Sequence, residues 1–458
     1  MATTVVEADA VVGGLARTEV FRGNYFDIGG HRFFTKMAEV ERLWHEVLGD
    51  QFIEVPRLSR ILYQGRFFYY PLRPLNAFFG LGIVNSVWVT LSYLRSRFFP
   101  RLPEETFEEY VSNRFGRRLF HIFFKTYTEK VWGIPCTEIR AEWAAQRIRN
   151  LSFTSAVKNA LFGSRHGEIK SLIEKFLYPR LGPGMMWERF RERIEAGGGR
   201  VLTECPVEGL ERNDGLITGV RVRRPGCEAE VLPATHVISS LPLRELVLSL
   251  SPSAPDDVRH AAKDLKYRDF LTVVLVVRQA ELFPDNWIYI HTPHVRVGRI
   301  QNFRNWSRDM VADPATTTLG LEYFVSEGDD LWAMPDADLV RLATRELDQL
   351  GLAAASDVTD GAVKRMKKAY PVYDSTYRQS LAIVRGYLDS FTNLQTVGRN
   401  GLHKYNNQDH SMMTGLLAAR NVWGGESHDL WAVNTDLEYQ EELRATPVES
   451  GKTSGPGA

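Results

Sequence analysis

The 458-residue sequence predicts an α/β protein in which the chain leaves a nucleotide-binding type of domain and returns to it late, forming a second, α+β domain from the excursions. Three observations predict it. Residues 3 to 7 (TTVVE) form a short apolar strand that ends in an acid, Glu7, with Gly13-Gly14 close behind. Helical and then β-rich segments fill the middle. Near the end, a strand runs into Gly398-Arg399-Asn400-Gly401, and an apolar helix, DHSMMTGLLAARNV, follows from Asp409.

Taken in order, residues 1 to 36 hold short strands and glycine turns, Glu41 to Val47 has helical spacing, and RILYQGRFFYY reads as a hairpin around Gln64-Gly65. Residues 75 to 162 read mostly as helix, with Thr106-Phe107-Glu108-Glu109 as a helix start. A loop at Arg180 to Gly184 leads to a helix over Met185 to Ala196, closed by three glycines. Strands follow at RVLTECPVEGLE, GLITGVRVRR and HVISSLP, and buried strands at Asp269 to Val277, Trp287 to His291 and Thr318 to Val325. Helices return over Asp336 to Leu350 and Ser375 to Leu388. The expected division is a nucleotide-binding domain from 1–60, 181–245 and 391–440, a mostly helical insertion at 61–180, a substrate-domain sheet with helices at 246–390, and a disordered polar tail at 441–458.

Composition narrows the function. Lys plus Arg and Asp plus Glu both total 56, so no general charge draws a nucleic-acid polymer, and any basic site must be local. Three widely spaced cysteines, Cys136, Cys205 and Cys227, argue against a disulfide framework and fit a reducing, cytoplasmic setting. The first residues lack the charged and apolar regions of a signal peptide. Leu75 to Phe99 is apolar and aromatic-rich, but Asn76, Asn85 and Ser86 interrupt it and Arg95 and Arg97 close it. It reads as a buried or substrate-covering helix, with peripheral membrane contact as the alternative.

Five constellations bear chemistry. An acid such as Glu7 at the end of a strand accepts hydrogen bonds from ribose hydroxyls, and Gly13 and Gly14 let backbone amides approach a phosphate. Alone, that element suits a strand and turn of an unrelated fold equally well. In YFDIGGHRFFTK, Gly29 and Gly30 suit backbone packed against a flat ring with His31 facing it; the alternative is a plain turn with a core histidine. TYTEKVW offers Tyr127, Trp132 and Lys130, and Arg147 and Arg149 follow; aromatics with arginines suit a nucleotide or diphosphate, or else amphipathic packing. AYPVYDSTYRQS brings Tyr370, Tyr373 and Tyr377, phosphate-binding hydroxyls or packing residues. Last, Gly398 and Arg399 with Tyr405 precede a helix start at which Asp409 is the expected cap, Ser411 and Met412 lie in the first turns, and His410 is structural. Free amides there stabilise negative charge on a neighbouring ring. There is no G-x-S-x-G, H-E-x-x-H or Walker pattern, and no metal site is expected.

These motifs in this order resemble the FAD-dependent amine-oxidase and protoporphyrinogen-oxidase-like superfamily. Within it they are most similar to the UDP-galactopyranose mutase-like branch, on FDIGGHRFFTK, YTEKVW, Tyr370-Pro371 and the Gly398 to Val422 element. The resemblance spans residues 3 to 435 and implies a glutathione-reductase-type, Rossmann-like FAD domain. Its first strand and G-x-G-x-x-G turn are missing, so that domain is expected to be N-terminally truncated as written. It implies Glu7 on the adenosine ribose, Gly13 and Gly14 at the diphosphate, and His31, Gly29 and Gly30 against the flavin. Gly398, Arg399, Asp409, Ser411 and Met412 would lie at its pyrimidine end. Tyr127, Trp132, Arg147, Arg149, Tyr370 and Tyr405 would line a sugar-nucleotide site, with His31 and Arg399 as the catalytic candidates. Two departures stand out: Gly30 replaces the branch's proline, and the insertion around residues 75 to 100 is extra. The expected function is flavin-dependent oxidation of a small molecule, a saccharide, sugar nucleotide or lipid-linked sugar of polysaccharide biosynthesis. A non-redox mutase and a flavin-deficient binding protein are the alternatives.

Overall fold

A computed structural model describes residues 3–70, 72–141 and 174–434. The centre is a seven-stranded sheet in the order Val358–Pro371, Tyr267–Val277, Thr317–Val325, Arg299–Asn302, Trp287–Ile290, Ser59–Tyr63, Arg66–Tyr69. All neighbours are antiparallel except Trp287–Ile290 beside Ser59–Tyr63. The apolar run DFLTVVLVV is buried along its whole length because its strand is covered on both faces. The Ser59–Tyr63 hairpin turns at Gln64 and Gly65, both at positive φ, the geometry that matches strand twist in a two-residue turn.

The Val358–Pro371 strand is absent from the sequence reading. It lies at the edge of the sheet, and its Lys364, Arg365, Lys367 and Lys368 mask the alternation that marks a half-buried strand. Its pairing slips between Arg268 and Phe270, where Lys368 takes φ 55°. This bulge turns the carbonyls of Lys368 and Ala369 toward the late Gly398 turn, where they accept from Asn400 Nδ2 (2.9 Å) and an Arg399 terminal nitrogen (3.0 Å).

The nucleotide-type elements form two separate parallel pairs among the described residues. Thr4–Val6 pairs with Arg200–Leu202, and Val237–Ser239 pairs with Leu394–Thr396. A further sheet of four strands, Ala229–Pro233, Leu216–Arg223, Val207–Asn213 and Leu250–Ser251, stands beside them.

Within the insertion, the long helix expected from Leu75 breaks at Gly82 (φ 81°) into Pro74–Leu81 and Ile83–Phe98. The helix start at Thr106 is present, with Thr106 and Glu109 forming a reciprocal capping box for Phe107–Phe115. Gly116, also at positive φ, lets this region approach Ile83–Phe98 closely, since a Cβ there would lie 2.7 Å from the Tyr93 amide nitrogen. The expected helix beyond residue 141 and the polar tail lie outside the described residues, and among the described residues no helix is long and apolar enough to cross a membrane.

Candidate active site

Three segments far apart in sequence meet over the large sheet. The first is the Gly29-Gly30-His31 turn that leaves the Asn24–Asp27 strand. Gly29 adopts φ 90°, open to glycine at little cost, and a Cβ at Gly30 would lie 2.7 Å from Gln301 Nε2. The turn is therefore pressed onto the Arg299–Asn302 strand. His31 follows, and its Nδ1 is buried without a hydrogen-bond partner. Burial, with the charges of Arg399 and Arg299 nearby, pushes its pKa down to about 3 and keeps the ring neutral.

The second segment is the late turn. Arg399 donates through Nε to the Asn406 carbonyl (2.9 Å) and through a terminal nitrogen to that of Ala369. Its guanidinium carbon stands 5.3 Å from the Tyr370 ring centroid and 4.8 Å from that of Tyr405, and the two rings stack at 5.7 Å. Gly398 takes φ 81° with open space where a side chain would stand, and its amide donates to Thr414 Oγ1 (3.0 Å).

The third segment is the Thr317–Val325 strand, predicted as a strand although the role of its acid escaped the sequence reading. Glu322, fully buried, accepts from Arg299 Nε at 2.5 Å and from Gln301 Nε2 at 2.8 Å. Burial pushes the Glu322 carboxyl up while Arg299 opposes that shift, and Arg299 is held firmly protonated by its partner. The Arg299 side chain reaches the Gly29 turn, since a Cβ at Gly29 would lie 3.7 Å from one of its terminal nitrogens. The signal was present in TTLGLEYFV: a lone acid in an apolar strand must have a partner.

The remaining candidates divide. Tyr127 stacks on His291 at 5.0 Å and meets Tyr289 edge-on at 5.4 Å, with Arg299 electrostatically close, so it joins the cluster. Trp132 is buried in the insertion core, its ring 6.5 Å from Tyr373, whose hydroxyl accepts from the Tyr405 amide. Lys130 is not a ligand-facing charge. Its ammonium donates to the carbonyls of Ile290, Thr292 and Val297, and burial lowers its pKa to about 8. Arg147 and Arg149 lie outside the described residues.

The helix start also needs correction. Asn407, in extended backbone (φ −84°, ψ −177°), is the N-cap of Gln408–Trp423 and forms a capping box with His410, which is structural as expected. Asp409 is the second helical residue, buried, and its carboxylate lies at the positive end of the helix dipole. The Met412 sulfur accepts from the Trp44 indole, and the Ser411 amide donates to the Asn407 carbonyl. The Gln408 and Asp409 amides lie in the first turn, at the positive end of this helix.

At the opposite end, Glu7 directly follows the Thr4–Val6 strand. One of its carboxylate oxygens accepts from the Asp9 amide at 2.8 Å, and burial raises its pKa. Gly13 packs on the Trp187 indole, where a Cβ would come within 2.3 Å, whereas Gly14 has open space. Arg17, only 2% exposed, is pinned by Asp9 at 2.6 Å and Glu19 at 2.7 Å. The sequence reading missed it, although one of its terminal nitrogens lies 3.5 Å from the Gly14 carbonyl.

The parts fit a flavin dinucleotide. His31 Nδ1 and both side-chain polar atoms of Gln408 are buried and unpartnered, as a polar ring edge requires. Gly14, at φ 56°, has open space where a side chain would stand. Fold and site together define an α/β protein whose site suits a flavin dinucleotide. The chain belongs to the family described as flavin containing amine oxidoreductase, whose model matches residues 1–422. Its cofactor is FAD, and it is a flavin enzyme.

Similar solved structures show the same fold. Reduced UDP-galactopyranose mutase superposes with a TM-score of 0.81 at 20% identity, covering 94% of this chain and 91% of that one. A protoporphyrinogen oxidase-like protein of Exiguobacterium sp. 255-15 gives 0.67 at 17%, covering 92% and 93%. Putrescine oxidase bound to putrescine gives 0.57 at 15%, covering 91% and 93%.

Proposed function

We propose that this chain is an FAD-dependent oxidoreductase acting on an anionic, phosphate-bearing saccharide, a sugar nucleotide or a lipid-linked sugar. One observation carries the reading: the cluster around His31 is cationic and aromatic, with Arg299 and Arg399 among Tyr127, Tyr289, Tyr370 and Tyr405. The carboxylate at this cluster, Glu322, is fully engaged by Arg299 and Gln301. Glu322 neutralises Arg299, so Arg399 leaves the cluster one net positive charge that a cationic diamine, as in the putrescine oxidase structure, would meet unfavourably, whereas a diphosphate would meet guanidinium and phenol donors.

FAD when bound supplies a two-electron acceptor at N5, or a nucleophile at that atom when reduced. The residues do the rest. Arg299, set by Glu322, and Arg399, set by two carbonyls, orient the anion, and the stacked Tyr370 and Tyr405 hold one wall of the site. His31 stays neutral and serves as a polar contact rather than as a proton acceptor. The Gln408 and Asp409 amides place positive partial charge where a ring gains negative charge.

A second reading, a non-redox mutase, is supported by the same arginines, which would hold a departing diphosphate, and by the 0.81 superposition on UDP-galactopyranose mutase. Anaerobic mixing of the FAD-loaded protein with sugar nucleotides separates the two. Bleaching of the flavin with oxidised sugar as product supports the first. A ring-contracted isomer formed only by pre-reduced protein, without net flavin turnover, sinks the first and supports the second.

A further inference from the structure

The insertion carries a surface that the catalytic reading does not use. Of the twenty large apolar side chains exposed among the described residues, twelve lie between Leu75 and Leu102. Phe79, Ile83, Val84, Phe98 and Phe99 are each more than 70% exposed, and Trp88 is 56% exposed. The same helices bury Ser86, Val89 and Tyr93 against the Phe107–Phe115 helix and its neighbours, so their docking side is already satisfied. Exposed residues 84, 87, 88, 91, 94 and 98 recur at spacings of three and four, which places them on one outward face of Ile83–Phe98. An apolar face of this extent on a monomer marks an interaction surface.

Charge identifies the occupant. Between Glu54 and Glu104 the chain holds seven arginines and no aspartate or glutamate, although its overall charge balances. Arg66, Arg73, Arg95 and Arg97 are exposed and make no ion pair among the described residues. Arg95 falls on the apolar face, seven residues beyond Trp88. Each helix is too short to span a bilayer. An apolar face with an exposed tryptophan and an arginine collar is the chemistry of a helix lying in the interface of an anionic membrane.

We infer that helices Pro74–Leu81 and Ile83–Phe98 dock this protein onto an anionic lipid surface, with the apolar face in the acyl boundary and the arginines at the headgroups. The core beneath the pair is continuous with the site. Val89 belongs to the same buried cluster as Trp132, with Tyr370 and Tyr405 packed against it. Docking therefore holds the active-site region against the membrane, whether or not the proposed substrate is correct.

The test is flotation of the FAD-loaded protein with vesicles of phosphatidylcholine alone and of phosphatidylcholine with phosphatidylglycerol. Light scattering, melting temperature and flavin absorbance are followed on the same samples. The wild type should float with the anionic vesicles and lose binding in high salt. Val84→Glu/Trp88→Glu and Arg95→Glu/Arg97→Glu should each cut bound protein about tenfold or more while melting temperature and flavin content hold. Wild-type protein that stays unbound with both vesicle types overturns the inference. So does undiminished flotation of the apolar-face variant. A dimer in solution that Val84→Glu/Trp88→Glu converts to monomer, without any vesicle binding, assigns the face to a second copy instead.

Discussion

Glu322→Ala tests whether the buried carboxylate sets the arginine of the proposed anion site. The wild-type carboxylate is fully buried and holds Arg299 Nε at 2.5 Å, while Arg299 is itself only 17% exposed. Removing one partner of such a pair leaves an uncompensated charge, costing about 3–5 kcal/mol. Gln301 Nε2 loses its acceptor in the same step, but the two losses share one network and do not add. With an unfolding entropy of roughly 2 cal/mol/K per residue, a chain of this length loses ~1 kcal/mol per degree, so the melting midpoint should fall by about 3–5 °C. Arg299→Met/Glu322→Leu should recover most of that loss, because neither charge then has to be desolvated. Differential scanning fluorimetry on the wild type and these two variants is the assay. A fall below about 1 °C for Glu322→Ala, or a double variant no more stable than the single, would refute the assignment of Arg299 and Glu322 as a mutually dependent buried pair.

Three more predictions follow from the same geometry. Asp27, buried beside Tyr178 (2.6 Å) and Thr18 (3.2 Å), has its pKa pushed up to about 7 by burial. The unfolded chain releases that proton near pH ~3.9, so the native state binds more protons between the two values and stability falls as pH rises through that window. Asp27→Asn should therefore raise the melting temperature near pH ~8 and change it little near pH ~4; an equal effect at both would count against a buried neutral Asp27. Because His31 stays neutral down to about pH 3, cofactor reduction should show no limb from it in the pH range 5–8, where a histidine of ordinary pKa ~6.5 titrates. A limb in that range that His31→Gln abolishes would contradict this. Gly30→Ala should cost about 1–3 kcal/mol and displace Gln301, read as a lower melting temperature with weakened substrate binding; wild-type values for both would show that the turn is not pressed on that strand.

Legibility in the sequence followed the physics of each element. The Tyr267–Val277 and Thr317–Val325 strands were readable because both faces are buried and their residues run apolar. The Thr106 helix start was readable because a capping box is local in sequence. The edge strand Val358–Pro371 was not, since Lys364, Arg365, Lys367 and Lys368 interrupt any alternation. At the site, His31, Tyr127, Tyr370, Arg399 and Tyr405 were readable as motifs near glycines and a proline, and the fold brings them together. Arg299 and Glu322 were not, because their partnership joins two strands more than twenty residues apart and neither sits in a glycine-rich motif. Asp409 was misread as the cap because the true cap, Asn407, stands within NNQD, where several residues can cap.

In the proposed function, FAD is held against a cationic cluster that takes an anionic saccharide. Its most direct test is the visible spectrum of the purified protein, titrated with FAD and then with a sugar nucleotide, for the wild type and for Arg299→Met and Arg399→Met. The expected result is a saturable oxidised-flavin spectrum that the sugar nucleotide perturbs. In Arg299→Met the flavin should be retained, and in both variants the perturbation should weaken about tenfold or more, as expected for loss of a charge-assisted contact to phosphate. A protein that binds no FAD would contradict it, as would a flavin spectrum that responds to a diamine and is indifferent to every phosphate-bearing sugar.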